Sequence, residues 1–231
     1  MSDALLDAIQ SRDVARLAGL LAAGADPNAR GKSRYGSGQE APLQAAIGEL
    51  EALDSEAPGP IDALVLLLRH GASVKGWDAS REGDPLLMAV LIKHLDAVRL
   101  LLAAGADANV CDGEGTSPLR VCAQEGLLEM ARLLLQCGAD KTIDEAGGPT
   151  GMNALGTATT RLDVEMVRLL LAHGANPEAR DLDRMIPIER LRYEVLPEDP
   201  DIEERFREVC RLLGTTESQV PIRRAREPNR Q

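Results

Sequence analysis

The chain has 231 residues, with 26 Lys and Arg against 37 Asp and Glu, for a formal net charge of −11. Hydrophobic residues make up 44%, yet the aromatics are only Tyr35, Trp77, Tyr193 and Phe206. The core must therefore be built from Leu, Ala, Val and Ile, which favours closely packed helices over a β-sandwich. So acidic a body argues against nucleic acid or an anionic membrane surface as partner, because both are recognised mainly through Lys and Arg.

In chain order, Met1 to Asp7 shows no basic segment followed by an apolar one, so no secretory signal is expected. The longest apolar runs, such as Leu64 to Leu68, have the length of helix cores and not of membrane spans. Cys111, Cys122, Cys137 and Cys210 form no CxxC pair and have no His at metal-ligand spacing. They read as structural thiols, Cys122 on a buried helical position, in a reducing cytoplasm.

Self-comparison exposes a repeat. Leu20-Leu21-Ala22-Ala23-Gly24-Ala25-Asp26 returns as Leu66-Leu67-Leu68-Arg69-His70-Gly71-Ala72, and again around Gly105-Ala106-Asp107, Gly138-Ala139-Asp140 and Gly174-Ala175-Asn176. The glycines stand 47, 34, 33 and 36 residues apart. A second element precedes four of them: Ala41-Pro42-Leu43, Asp84-Pro85-Leu86, Ser117-Pro118-Leu119 and Asn153-Ala154-Leu155; Ile186-Pro187-Ile188 follows the last. A capping side chain followed by Pro starts a helix. In the most regular unit the pattern predicts a short helix over 118–124, a break at Gly126, and a second helix over 128–136. Its apolar stripe of Leu128, Ala131, Leu134 and Leu135 marks a buried face. Gly138 ends that helix in the left-handed conformation open to glycine, a stop signal and not a phosphate loop. Helices this short cannot bury their apolar faces alone and must stack on neighbouring copies.

Ser117-Pro118-Leu119-Arg120-Val121-Cys122, with Gly126-Leu127-Leu128-Glu129-Met130-Ala131-Arg132-Leu133-Leu134-Leu135, resembles the ankyrin repeat, and the likeness recurs over about residues 3–213. The resemblance implies an all-α ankyrin-repeat solenoid of about six helix-turn-helix units with β-hairpin-like fingers, binding other proteins on a concave face. Residues 1–214 form the array, with caps near 3–24 and 186–213.

Several positions depart from the pattern. The first finger gains five residues around Gly31 to Gly36, and nine more separate the two helices of the second unit around Leu50 to Pro58. Three extra residues lie in the Gly147-Gly148-Pro149 finger, and Gly156 stands where the family prefers His. Residues 215–231 carry Arg223, Arg224, Arg226 and Arg230 against Glu217 and Glu227, a basic tail on an acidic body. It is expected to be disordered, with docking onto the body as the alternative.

No G-x-S-x-G, Walker loop or H-E-x-x-H occurs. His70 and His173 precede helix-ending glycines and His94 lies at the turn between two helices, so position explains all three. Asp112 and Glu114 read as acids on a solvated finger. Neither catalytic residues nor a cofactor or metal site are expected, and the chain is not expected to be an enzyme.

By the resemblance, the finger tips and the two residues closing each first helix face outward. The closing pairs are Gly48-Glu49, Leu91-Ile92, Gln124-Glu125, Thr160-Arg161 and Tyr193-Glu194. Candidate protein-binding residues are Tyr35, Trp77, Arg81, Leu91, Ile92, Glu114, Glu125, Met152, Arg161, Met185 and Tyr193; aromatic and Arg side chains are favoured at the energetic centres of interfaces. Leu91 and Ile92, with Leu87 one turn earlier, make an apolar patch that either anchors a partner or is covered by the Leu50–Pro58 insertion. Trp77 packs within its finger or meets the partner, and Tyr193 closes the last helix pair or does the same. Glu49, Glu114 and Glu125 would suit a basic partner.

The functional expectation is a cytoplasmic, monomeric adaptor or inhibitor that engages a protein partner. One narrower form is an immunity-type inhibitor of a basic enzyme. A self-assembling structural module is the alternative from a different class.

Overall fold

The computed structural model describes residues 2–33, 38–51, 61–75, 83–191 and 200–215. The chain divides into two compact bodies, Met1–Gly113 and Glu114–Gln231. The first contains helices α1 (Ser2–Gln10), α2 (Val14–Ala22), α3 (Pro42–Glu51), α4 (Asp62–Arg69), α5 (Pro85–Leu91) and α6 (Leu95–Ala103). Between α2 and α3 runs a two-stranded antiparallel ribbon, β1 (Gly31–Lys32) and β2 (Gln39–Glu40), with Gly31 opposite Glu40. The second body contains α7 (Pro118–Glu125), α8 (Leu128–Gln136), a 3₁₀ turn at Ala139–Thr142, α9 (Ala154–Thr160), α10 (Val164–Ala172), a 3₁₀ turn at Pro187–Arg190 and α11 (Pro200–Leu212).

Within each body the helices come in pairs that stack in two layers. In the first body α1 lies on α3 and α3 on α5, while α2 lies on α4. In the second, α7 lies on α9 and α9 on the 187–190 turn, while α8 and α11 flank α10. The fold is thus the all-α solenoid of helix-turn-helix units expected from the repeat.

Local chemistry explains why each unit folds as it does. Asp84, Ser117 and Asn153 cap the first helices, accepting from Leu86 N at 2.9 Å, Arg120 N at 3.3 Å and Gly156 N at 2.7 Å. Pro85 and Pro118 take first-turn positions where no amide is needed. The second helices begin on Asp13, His94 and Asp163, which accept from Arg16 N, Ala97 N and Met166 N at 2.9, 3.2 and 3.1 Å. Gly24, Gly71, Gly105, Gly138 and Gly174 hold φ between 86 and 90°, a conformation costly for any residue with a Cβ. The turn between paired helices also needs a positive φ; Gly126 supplies it at 71°, whereas Arg12, Lys93 and Leu162 adopt 56, 60 and 53°.

The second helix of the best unit spans the expected residues, with Ala131 and Leu134 fully buried and Met130 and Leu135 nearly so. Its partner runs one residue beyond the expected 118–124, to Glu125. The enlarged 147–149 finger comes close against its neighbour: Gly148 N donates to Glu114 O at 2.7 Å, and a Cβ on Gly147 would lie 2.6 Å from Gly115 O.

Two surface expectations are corrected. Glu49 is buried at 8% exposure, because Arg12 of the preceding helix pair reaches it: Arg12 Nη2 lies 3.7 Å from Glu49 Oε2 and donates to Glu49 O at 3.2 Å. Leu87 is buried at 5%, so it belongs to the core and not to an exposed patch.

In the last unit a 3₁₀ turn over Pro187–Arg190 packs on α9. Arg190 fastens this turn to the last finger, donating through Nε to Asp181 and through Nη2 to Asp183, both at 2.5 Å. Helix α11 closes the body with Phe206, Val209 and Cys210 buried. On its rim Glu208 receives Arg211 and Arg168, which hold its carboxyl down at about 2.

Candidate functional site

The first body exposes its clearest candidate at the end of α5. Pro85, Leu86, Leu87, Ala89 and Val90 are all buried, but Leu91 is 53% exposed. Ile92, the C-cap, is half-buried. The helix ends here because Lys93 takes a left-handed φ, with Lys93 N donating to Val90 O and His94 N to Ala89 O, both at 3.0 Å. Tyr35, Trp77 and Arg81 lie outside the described residues.

In the second body the ends of α7 and α9 come together, since these helices pack on each other. Glu125 is the exposed last residue of α7, and Arg161, exposed, caps α9. A Cβ on Gly126, the C-cap of α7, would stand 3.2 Å from Arg161 Nη2, so the guanidinium lies over the carbonyl end of α7, where a cation is favoured. Glu114 is exposed in its finger. Met152 and Met185 are half-buried: Met152 O accepts from Arg120 Nη1 at 3.2 Å, and Met185 N donates to Asp181 Oδ1 at 3.0 Å. Tyr193 falls outside the described residues.

One residue escaped the sequence reading. Leu182, in the last finger, is 68% exposed. Its N–H donates to Gly151 O at 3.0 Å, and its Cβ would meet a Cβ on Gly151 at 3.2 Å, which sets it beside the Met152 finger. The register of that finger rests on Asp181, which accepts from Asp183 N and Met185 N. Only the Asp-x-Asp spacing of Asp181 and Asp183 signals it in the sequence.

Two of the three histidines make structural hydrogen-bond contacts. His94 Nδ1 caps α6, and His173 Nδ1 lies 3.0 Å from Leu169 O. Burial pushes the Cys122 thiol up to about 12, so it is no nucleophile at neutral pH. Among the described residues no group of three or more His, Cys, Asp or Glu could hold a metal ion. No helix among them is long and apolar enough to cross a membrane.

Comparison with known proteins agrees with this architecture. Residues 51–145 and 86–181 match the family model for ankyrin repeats in three copies. Human Ankyrin repeat and SOCS box protein 16 is 39% identical over 158 residues, 65% of this chain and 34% of that protein. The chain therefore spans about a third of this relative. Among solved structures, an ankyrin repeat domain from Acinetobacter baumannii AYE aligns with a TM-score of 0.69 at 25% identity, covering 90% of this chain and 95% of that one. The ankyrin repeat domain of Bcl-3, a member of the IkappaB protein family, aligns with a TM-score of 0.67 at 25% identity over 90% and 81%. Stacked helix pairs, glycine-ended second helices and a family match over more than half its length together establish that this chain belongs to the ankyrin-repeat family.

Proposed function

We propose that the chain is a non-catalytic adaptor or inhibitor that binds a protein partner, with Leu91 and Ile92 as its apolar anchor in the first body. Ankyrin-repeat domains generally mediate protein–protein interaction. The observation that carries the reading is the contrast within α5, whose other large side chains are buried or half-buried while Leu91 stays 53% exposed. With about half of the side chain still exposed, burying the rest against a partner is worth about 1 kcal/mol. In the second body the exposed Glu114 and Glu125 suit a basic patch, and Arg161 with Leu182 adds an Arg and an aliphatic contact. The chain acts as a cytoplasmic monomer in this reading.

The test is capture from native extract by wild type and by Leu91→Asp, with matched circular dichroism for the two. A protein held stoichiometrically by wild type and lost with Leu91→Asp is expected. Equal recovery by both removes Leu91 from the interface.

A further inference from the structure

In the second body the turn over residues 181–185 has every backbone N–H bonded. Asp181 N donates to Met185 O at 3.0 Å, Leu182 N to Gly151 O at 3.0 Å and Arg184 N to Asp181 O at 2.9 Å. Asp183 N and Met185 N both donate to Asp181 Oδ1, at 2.9 and 3.0 Å. Arg190 in turn binds the carboxylates of Asp181 and Asp183. What this fixed turn holds out is Leu182, 68% exposed. Its backbone is already ordered, so little entropy opposes burying the side chain against a partner.

Two cations share the turn. Arg180 Nη1 donates to Arg184 O at 2.5 Å, which lays that guanidinium on the turn itself. Arg184 is exposed and stands at φ 62°, where glycine would be the low-strain residue. Neither makes an ion pair among the described residues: Asp181 and Asp183 are taken by Arg190, and Glu178 pairs with neither. In a chain of net charge −11, one tight turn thus presents an exposed aliphatic side chain together with two uncompensated guanidinium groups. That combination matches a ligand in which an apolar group lies beside a carboxylate.

We infer that this finger docks a segment of the protein partner in which an Asp or Glu side chain neighbours an aliphatic one, an inference that rests on the interaction-module reading above. The chain's own residues 215–231, with Arg223, Arg224, Arg226 and Arg230 against Glu217 and Glu227, carry the wrong charge to fill the place. Gly148 N donates to Glu114 O at 2.7 Å as Leu182 N does to Gly151 O, so the three fingers of this body stand in order, with the exposed Glu114 and the two cations at opposite ends of the row. A partner segment acidic at one end and basic at the other is thereby given a direction, which raises specificity.

The experiment is an amide NMR titration of the ¹⁵N-labelled full chain at constant ionic strength. Capped Gly-Glu-Leu-Gly, Gly-Gln-Leu-Gly, Gly-Glu-Gly-Gly and Gly-phosphoserine-Leu-Gly are the probes. Saturable shifts centred on Leu182, Asp183 and Arg184 are expected with the Glu-Leu peptide. Removing its carboxylate or its Leu should each weaken binding about three- to tenfold, as should Arg184→Gln and Leu182→Ser in the protein. Both side chains are exposed, so the variants keep the fold, and unchanged amides in α7 to α10 verify it. The inference is overturned if the Glu-Leu peptide does not saturate, if the Gln-Leu peptide binds equally, if both variants bind as wild type, or if the phosphoserine peptide binds more tightly. It is overturned equally if Leu182→Ser alone moves the amides of 192–199 or 216–231, which would make the chain itself the occupant, or if that variant abolishes a concentration-dependent dimer, which would make it a second copy. Leu91 belongs to the other body, so these titrations stand whatever the partner capture shows.

Discussion

Truncating Phe206 to Ala should release the end of the second body without unfolding the rest. Helix α11 is fastened to α10 through three buried side chains, Phe206, Val209 and Cys210, and Phe206 is the largest. Its loss costs about 3–5 kcal/mol, the removed burial plus the cavity left behind. Among the described residues α11 packs chiefly on α10, so the cost falls on that interface. On the rim lies the Arg168–Glu208–Arg211 cluster, and exposed ion pairs of this kind contribute little. Amide exchange in 201–212 should therefore accelerate roughly 100-fold to a few thousand-fold, converting that free energy at tenfold per 1.4 kcal/mol. Helices α7 to α9 should keep their wild-type protection. Hydrogen exchange read by mass spectrometry on peptides covering 118–215 makes the measurement. Equal acceleration across α7 to α11 would show the second body opening as one cooperative unit. Unchanged exchange in α11 would show that something other than Phe206 holds the helix.

Two further outcomes follow from the fingers. Burial pushes Asp181 up, but hydrogen bonds from Arg190 and from the backbone of Met185 and Asp183 more than offset it, so its carboxyl titrates below the ordinary range. Stability from this clamp is present above the unfolded carboxylate value of about 3.9 and disappears as pH falls through the lower folded value. Arg190→Gln leaves the burial opposed by fewer bonds, so thermal melts should show acid destabilisation beginning at higher pH than in wild type; superimposable pH profiles would refute the clamp. Gly147→Ala would place a Cβ 2.6 Å from Gly115 O and 2.9 Å from Gly115 Cα, both backbone, and break the Gly148–Glu114 bond. A loss of about 1–3 kcal/mol in denaturant unfolding is expected, and no change would mean the two fingers part freely.

Much of this architecture can be read from spacing because each unit declares both of its ends. The capping Ser117 and the stop at Gly138 bracket α7 and α8 to within a residue, and both signals are local. What could not be read depends on partners distant in sequence. Glu49 looks like a solvated acid until Arg12, 37 residues earlier, is found reaching it. Leu87 could not be assigned to a face because α5 is apolar throughout, Pro-Leu-Leu-Met-Ala-Val-Leu, and seven residues carry no polar stripe to orient it. Leu182 escaped because its exposure follows from finger register set by Asp181 and Arg190, not from any periodic pattern.

The pairing of Arg12 with Glu49 also constrains how this sequence can drift. Position 12 is held at φ 56°, where glycine would relieve about 1–2 kcal/mol of backbone strain. In most proteins such a site is an easy target for a stabilising substitution. Here the same change removes the guanidinium that approaches a buried carboxylate at 3.7 Å. Replacing Glu49 first would strip Arg12 of the ion pair and leave the strained turn with less to show for it. The two positions are therefore epistatic: descendants should change both or neither, and the order of substitutions decides whether the intermediate folds well.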